Sequence, residues 1–159
     1  VESENGDTSA WTHEESAAWA EITTNITPQY GTAGDDQLLW TGSLINGRGG
    51  DDTIQLRFDE SVTGSELSGS ARNIEAIDLT GNGENSIASL SAEDVFDMTD
   101  ARNTLRIDGD GAGVDSVELN TSSGWTLDAG ASVAGYDVYT ATVSSQTVVL
   151  EVAQGVLVE

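Results

Sequence analysis

The sequence predicts a mainly β fold, all-β in class: a stack of short parallel strands joined by tight turns, then an antiparallel meander, with one or two short helices. Three observations lead to this expectation. Two short stretches repeat one pattern of glycine and aspartate, later segments alternate apolar and polar residues as strands do, and 18 glycines outnumber a single proline. With 159 residues, the chain is long enough to bury the core of one domain.

The two repeated stretches are GTAGDDQLL at residues 31–39 and GRGGDDTIQ at residues 47–55. Both have glycine at the first and fourth places, aspartate at the fifth and sixth, and a large aliphatic residue at the eighth. The glycines (Gly31, Gly34, Gly47 and Gly50) are expected to supply positive φ values, and Leu38 and Ile54 to point into the interior. The Asp-Asp pairs lie 16 residues apart, so residues 40–46 are interpreted as a shortened repeat.

These turns bring oxygen atoms together. The pattern resembles the calcium-binding nonapeptide of RTX proteins, which implies a Ca²⁺-stabilised parallel β-roll, a solenoid-like stack. One coil of such a roll holds two repeats, so Asp36 and Asp52 are predicted to lie one above the other. Carboxylates beside turn carbonyls form the oxygen shell that Ca²⁺ prefers, and a cation between them would bridge successive coils. The candidate metal ligands here are Gly31, Ala33, Asp35, Asp36, Asn46, Gly47, Gly49, Asp51 and Asp52.

The alternative interpretation is a pair of Asp-rich turns in an ordinary β protein. It is left open because the second place of the pattern holds Thr32 and Arg48, where the RTX nonapeptide has glycine.

A second candidate metal site is the loop DGDGAGVD at residues 108–115. Asp108, Asp110 and Asp115 stand in a glycine-rich segment and could converge on one hard cation, as at the start of an EF-hand loop. An EF-hand itself is excluded, because no glutamate follows at its twelfth place and no helices flank the loop. A solvated β-turn is the alternative. Glu75 and Asp78 are expected on an exposed strand face.

The charge is strongly one-sided, with 28 acidic residues, five basic residues that are all arginine, and a net charge of −23. Such self-repulsion opposes compactness unless counter-ions neutralise part of it, which divalent cations would do. Nucleic acid and anionic membranes are excluded as partners, because both bind basic patches. The absence of cysteine excludes disulfides and thiolate metal sites. We expect no membrane insertion, and a chain that starts without methionine is expected to be a piece of a longer protein.

Residues 1–30 are expected to be a linker with a short helix, and residues 31–159 a single domain, with a roll segment at 31–58 and a further module at 73–159. The helix is predicted over residues 13–22, because Thr12 and Glu15 form a capping box ahead of helix-forming residues.

Alternation and turn residues set the remaining elements. Residues 59–72, rich in serine and glycine, are predicted to be a loop, and a capping box at Ser91 and Asp94 predicts a helix through Met98. Short turns at 144–145 and 154–155 predict antiparallel neighbours, so the C-terminal third is expected to be a meander that closes the stack. The predicted strands are 53–58, 74–79, 86–90, 103–108, 116–119, 125–127, 136–143, 147–152 and 156–158.

The order of motifs resembles a module that recurs in large secreted bacterial RTX adhesins exported by type I secretion. The motifs are the GxxGDD turns, then NIEAIDLTG (73–81), LSAEDV (90–95), NTLRIDGD (103–110), GWTL (124–127) and YDVY (136–139). The likeness covers residues 31 to about 150 of the chain. It implies a calcium-loaded extracellular β domain, secreted or at the bacterial cell surface, with the neighbouring domains of a larger adhesin as partners.

Catalysis has little support, because a nucleophile needs a nearby general base and the only histidine, His13, lies outside the motif-bearing region. We expect a non-catalytic, monomeric, structural and presenting module with Ca²⁺ as its cofactor. A Ca²⁺-dependent carbohydrate- or peptide-binding adhesion module is the alternative, and the accessory domain of a glycan-modifying enzyme is a third. Alternation places Tyr136 and Val138 on one face of their strand and Tyr139 on the other, too few exposed rings for a sugar-stacking platform. We therefore expect no measurable glycan or peptide affinity.

Overall fold

The structure, a computed structural model, describes residues 27–81, 83–110, 114–131 and 133–159. The helix predicted over residues 13–22 lies outside these ranges. The described residues are mainly β, with parallel and mixed sheets and two short α-helices, which confirms the predicted class. None of their helices is both long and apolar enough to cross a membrane.

The strands are short, and the helices α1 and α2 fall between them. The strands are β1 (Gln29–Tyr30), β2 (Gln37–Leu39), β3 (Ile45–Asn46), β4 (Thr53–Gln55), β5 (Ser61–Thr63), β6 (Ala71–Arg72), β7 (Ala76–Asp78), β8 (Ser86–Leu90), β9 (Thr104–Asp108), β10 (Ser116–Leu119), β11 (Thr126–Leu127), β12 (Tyr136–Val143), β13 (Gln146–Ala153) and β14 (Leu157–Val158). The helices are α1 (Gly64–Ser70), α2 (Ala92–Met98) and a 3₁₀ turn (Thr121–Ser123).

The largest sheet has seven strands in the order β11-β12-β13-β9-β7-β4-β2. From β2 to β13 the neighbours run parallel, and β12 and β11 then add on in antiparallel fashion. Two further sheets, β1-β3-β6 and β14-β10-β8-β5, contain only parallel neighbours. Successive passes of the chain therefore lie side by side in each sheet.

The core is built from aliphatic rows that cross these parallel strands. In the seven-stranded sheet, Leu38, Ile54, Ile77, Ile107 and Val152 are neighbours in register. The last four are buried and Leu38 packs against them, which confirms that Leu38 and Ile54 point inward. Side chains one residue away therefore point to the opposite, outer face of the sheet.

The loop predicted over residues 59–72 is wrong, because this segment contains β5, α1 and β6. The helix begins at a capping box: the Thr63 hydroxyl accepts from the amide of Glu66, and the Glu66 carboxylate accepts from the amide of Thr63. Leu67 anchors the helix in the core. The predicted helix after Ser91 is confirmed as α2, with a capping box formed by Ser91 and Asp94.

Two further predictions need correction. The strand predicted over 53–58 ends at Gln55; the chain then turns at Asp59, whose φ is 52°, and Phe58 is exposed. The C-terminal meander is antiparallel only through β11, β12 and β13. Beyond residues 154–155, β14 joins the other sheet beside β10, so β13 and β14 are not antiparallel neighbours.

Candidate metal centre

Three turns stack at one end of the seven-stranded sheet. Residues 31–36, 47–52 and 73–75 each lead from a strand of the β1-β3-β6 sheet into β2, β4 and β7. The register of those strands aligns Asp36, Asp52 and Glu75, each of which immediately precedes its strand. The prediction that Asp36 and Asp52 lie one above the other is confirmed, and Glu75 extends the row.

Hydrogen bonds tie each turn to the next. The amide of Asp36 donates to Oδ1 of Asp52 at 2.9 Å, and the amide of Asp52 donates to Oε2 of Glu75 at 2.9 Å. Asp36 differs, because its Oδ2 accepts from the amide and hydroxyl of Thr32 within its own turn, at 2.6 and 2.9 Å. Each later carboxylate thus fixes the backbone of the turn before it.

Two oxygens of this row have no hydrogen-bond partner among the described residues: Oδ2 of Asp52 and Oε1 of Glu75. Asp52 is fully buried, and the Glu75 side chain is 10% exposed. The expectation that Glu75 lies on an exposed face is therefore wrong, because its long side chain reaches under the preceding turn. Buried polar atoms are normally paired, so these two call for a proton or a cation.

Burial raises the pKa of both carboxyl groups. For Asp52, the neighbouring charges of Asp36, Asp35 and Asp51 add to this effect, while the amide of Asp36 opposes it. For Glu75, burial again comes first, and the amide of Asp52 lowers the pKa in opposition. Burial therefore disfavours the ionised form of both groups, and Arg102, with Nη2 3.9 Å from Oε1 of Glu75, opposes this effect at Glu75.

The first glycine of each repeat makes room for this arrangement. A Cβ atom on Gly47 would overlap both Oδ2 of Asp52 and the carbonyl oxygen of Asn73 in the next turn. A Cβ atom on Gly31 would likewise overlap the carbonyl oxygen of Gly47 and come within 2.9 Å of Oδ2 of Asp36. At both places a carboxylate and a carbonyl oxygen converge on a space that only glycine leaves open.

The expectation of positive φ values holds for one of the four pattern glycines, Gly50, at 116°. Gly31 and Gly47 are required for close approach between turns, and Arg48, at 79°, carries a positive φ in the second turn. Glycine's small size matters more here than its backbone freedom.

These residues fit a hard cation. Oδ2 of Asp52, the carbonyl oxygen of Asn73 near it, and Oε1 of Glu75 in the same row of turns are all oxygen donors, the kind of ligand that Ca²⁺ accepts. Within the described ranges, no three His, Cys, Asp or Glu side chains form a group that could hold a metal ion. A cation at this place would therefore need carbonyl oxygens and water to complete its shell.

The other predicted ligands of the two turns have separate contacts. Oδ1 of Asp35 accepts from the amide of Asp51 at 2.8 Å, and the Asp51 carboxylate forms a 2.5 Å ion pair with Arg102. Oδ1 of Asn46 accepts from the amide of Arg48 and the side-chain amide of Asn73. Ala33 and Gly49 face each other where the turns stack, with 4.0 Å between a Cβ placed on Gly49 and the Ala33 Cα.

The second predicted site does not bring its three aspartates to one point. Asp108 accepts from the hydroxyl of Tyr136, and Oδ2 of Asp110 accepts from the amide of Gly81 at 2.6 Å. Asp115 is fully buried and accepts the amide of Asn85 at 3.0 Å and that of Asp110 at 2.7 Å. Residues 111–113 lie outside the described ranges, and a Ca²⁺ site in this loop stays a prediction.

Asp115 belongs to a second ladder, that is, a row of side chains that each accept a hydrogen bond from the backbone amide of the residue before an adjacent strand, as Asp52 and Glu75 do in the first. The side-chain oxygen of Asn85 accepts from the amide of Glu60 at 2.8 Å, and Asp115 accepts from the amide of Asn85 in the same manner. Each of these residues precedes a strand of the β14-β10-β8-β5 sheet. A sequence signal for this ladder exists in the repeated triplets Glu60-Ser-Val, Asn85-Ser-Ile and Asp115-Ser-Val, in which an acid or amide is followed by serine and an aliphatic residue.

No protein-family model, curated protein or solved structure matches the chain. Function therefore has to follow from the chemistry of its own residues.

Proposed function

We propose that this chain is a Ca²⁺-stabilised structural and presenting module of a secreted bacterial RTX adhesin, without a catalytic role. The observation that carries the proposal is the buried pair Asp52 and Glu75, each with one carboxylate oxygen that lacks a hydrogen-bond partner in the described structure. Burying an ionised carboxylate is unfavourable, and Arg102, with Nη2 3.9 Å from Oε1 of Glu75, offsets this in part for Glu75. One divalent cation would neutralise both groups and link two successive turns.

The stacking of the turns supports a roll-like, solenoid-like architecture. Successive GxxGDD turns lie in parallel register, and the third turn repeats their arrangement with Glu75 in place of aspartate. Cations that join such turns would crosslink passes of the chain that are far apart in sequence. With a net charge of −23, the folded state gains from every bound cation.

The non-catalytic part of the proposal rests on what the acidic side chains do. Asp35, Asp36, Asp52 and Asp115 accept hydrogen bonds from backbone amides, so they stabilise turns and are not arranged around a nucleophile. Extracellular Ca²⁺ at millimolar concentration would fill even weak sites and stabilise the native state by mass action. Folding would then follow export, and the module would space neighbouring domains of an adhesin.

Thermal unfolding with Ca²⁺, with Mg²⁺ and with EDTA tests the proposal. Ca²⁺ at 100 times its dissociation constant would stabilise the fold by about 2.7 kcal/mol. We expect Ca²⁺ to raise the Tm of the unaltered chain and of the exposed control Asp97→Asn, and to have little effect on Asp52→Asn. A Tm that ignores Ca²⁺, or an equal rise in Asp52→Asn, would contradict the proposal.

The alternative is a Ca²⁺-dependent carbohydrate- or peptide-binding adhesion module, for which a groove on the outer face of the seven-stranded sheet, lined by Arg102, Arg106 and four carboxylates, offers a place.

A further inference from the structure

Arg102 joins the second turn of the row, residues 47–52, to the chain between α2 and β9. Its Nη2 lies 2.5 Å from Oδ1 of Asp51 in that turn and donates to the carbonyl oxygen of Gly50 at 3.4 Å. Its Nε donates to Oδ2 of Asp100 at 3.0 Å, and its backbone amide donates to Oδ1 of the same residue at 2.8 Å. The guanidinium is therefore held from two sides, by its own segment and by a turn that lies about 50 positions earlier in the chain.

The same guanidinium faces the buried carboxylate of Glu75. Nη2 of Arg102 lies 3.9 Å from Oε1, close enough for an ion pair but too far for a hydrogen bond. Burial raises the pKa of Glu75, and among the charges around it Arg102 lowers that pKa while Asp100 and Asp52 raise it. Arg102 thus supplies positive charge to Glu75 and still leaves Oε1 without a hydrogen-bond donor in the described structure.

The exposure of the partners decides where the charge of Arg102 acts. The side chains of Arg102 and Asp51 are 52% and 66% exposed, so water screens their ion pair and it contributes little to stability. The side chain of Glu75 is only 10% exposed. A charge at 3.9 Å acts more strongly on a buried carboxylate, because less water lies around it. The electrostatic effect of Arg102 is therefore expected mainly at Glu75.

A cation bound to Glu75 would reverse the sign of this effect. Without a cation, the guanidinium is the counter-charge of Glu75 and lowers the cost of keeping an ionised carboxylate buried. A divalent cation on Oε1 of Glu75 and Oδ2 of Asp52 would bring two more positive charges close to the guanidinium, and like charges repel. The contacts to Asp51 and Asp100 hold Arg102 in place, so it does not withdraw at no cost.

We propose that Arg102 is a tethered counter-charge that competes with the cation at Glu75. It stabilises the row of Asp36, Asp52 and Glu75 when no cation is bound, and it lowers the affinity of this row for Ca²⁺. The inference rests on the proposed cation at Asp52 and Glu75 and names the residue that regulates its binding. Extracellular modules bind Ca²⁺ with dissociation constants of roughly 10⁻⁴ to 10⁻³ M, and Arg102 would bring the site toward that range.

The test combines calorimetric titration with Ca²⁺ and thermal unfolding in EDTA, both at pH 7, for the unaltered chain and for Arg102→Gln. We expect the variant to bind Ca²⁺ about tenfold more tightly, because the repulsion is removed. In EDTA its Tm should fall, because Glu75 has lost its counter-charge. The variant is expected to fold, since the side chain of Arg102 is half exposed. An ion pair with only a structural role predicts the lower Tm without the gain in affinity.

Two further variants separate charge from contact. Arg57→Gln removes one positive charge at an exposed position beyond the other end of β4, so it controls for the change in net charge. It should leave the Ca²⁺ affinity and the Tm in EDTA close to those of the unaltered chain. Arg102→Lys keeps the charge and loses the planar fork, and it should bind Ca²⁺ nearly as weakly as the unaltered chain does.

The outcomes distinguish this proposal from the one on which it rests. An affinity that Arg102→Gln leaves unchanged or weakens overturns the role of Arg102, as does a Tm in EDTA that does not fall. A gain of equal size in Arg57→Gln or in Arg102→Lys overturns it as well. If the unaltered chain neither binds Ca²⁺ nor gains stability from it, the proposed cation fails, and the role of Arg102 fails with it.

Discussion

The backbone amide of Asp52 donates a 2.9 Å hydrogen bond to Oε2 of Glu75, which stands 23 residues later in the chain. The turn that carries Glu75 is shorter than the two GxxGDD turns, and the additional methylene of glutamate spans the difference. Oε1 of Glu75 is left buried and unpartnered in the described structure, as is Oδ2 of Asp52, whose Oδ1 accepts from the amide of Asp36. A single relationship therefore links the stacking of the turns to their need for a positive charge.

Gly47→Ala should disrupt this stack. Its Cβ would overlap Oδ2 of Asp52 and the carbonyl oxygen of Asn73, so one turn must move. We expect a loss of about 1–3 kcal/mol in the free energy of unfolding, together with a weaker Ca²⁺ response. Gly34→Ala is the matched control, because nothing lies within 4 Å of its Cβ and its φ is not positive. Urea unfolding measures the free energy of unfolding of both variants. An equal loss of stability in the two would contradict the proposed packing role of Gly47.

Stability should depend on pH in opposite directions with and without Ca²⁺. The pKa values of Asp52 and Glu75 are raised on folding, so the folded state binds protons more tightly than the unfolded chain. In EDTA, their contribution to stability is present when both are protonated and is lost as the pH rises through the folded pKa values. In Ca²⁺, protonation competes with the cation, so acid should lower stability.

The measurement is the free energy of unfolding between pH 4 and pH 7, where each proton contributes a slope of up to about 1.4 kcal/mol per pH unit. Relief of the net negative charge also favours the folded state at low pH. The double variant Asp52→Asn, Glu75→Gln separates the two effects. In EDTA, its free energy of unfolding should depend less steeply on pH, and in Ca²⁺ acid should no longer lower it. An unchanged profile in the double variant would show that other carboxylates govern the pH dependence.

The sequence was sufficient to predict the stacked turns, because their pattern specifies local geometry. Gly47 and Asp52 stand at fixed places in a turn, and the aliphatic residue that follows must point inward once the strand begins. The inward direction of Leu38 and Ile54 and the helix after Ser91 are predictable for the same reason. In each case a few neighbouring residues set the conformation.

The third turn and the second ladder were not predicted, because their hydrogen bonds join residues 23 to 30 positions apart. Glu75 breaks the glycine pattern and shares with Asp36 and Asp52 only the order acid, any residue, aliphatic. Helix α1 was missed because residues 59–72 are rich in glycine and serine and the capping box at Thr63 and Glu66 was not recognised. The position of β14 depends on which sheet has an open edge, which local pattern does not encode.

The capping box of α1 can be tested directly. Thr63→Ala removes the hydroxyl that accepts from the amide of Glu66 at 3.2 Å and should destabilise the fold by about 1 kcal/mol. Hydrogen exchange of the amides in α1 should accelerate more than that in α2. Thr63→Ser keeps the hydroxyl and should restore both values. If Thr63→Ser behaves like Thr63→Ala, the methyl group and not the cap would be responsible.

Asp115→Asn distinguishes a structural ladder from a cation site in the loop at residues 108–115. The Asp115 carboxylate accepts the amides of Asn85 and Asp110 on separate oxygens, whereas asparagine offers one oxygen and turns an N–H₂ group toward the other donor. One buried amide would lose its acceptor, so we expect a loss of about 1–3 kcal/mol that is the same in Ca²⁺ and in EDTA. Asp110→Asn should have a smaller effect, because the Asp110 carboxylate accepts at an exposed position. Urea unfolding in both conditions and calorimetric Ca²⁺ stoichiometry provide the readouts. A loss confined to Ca²⁺, together with one fewer bound ion per chain, would place a cation in this loop and replace the ladder interpretation.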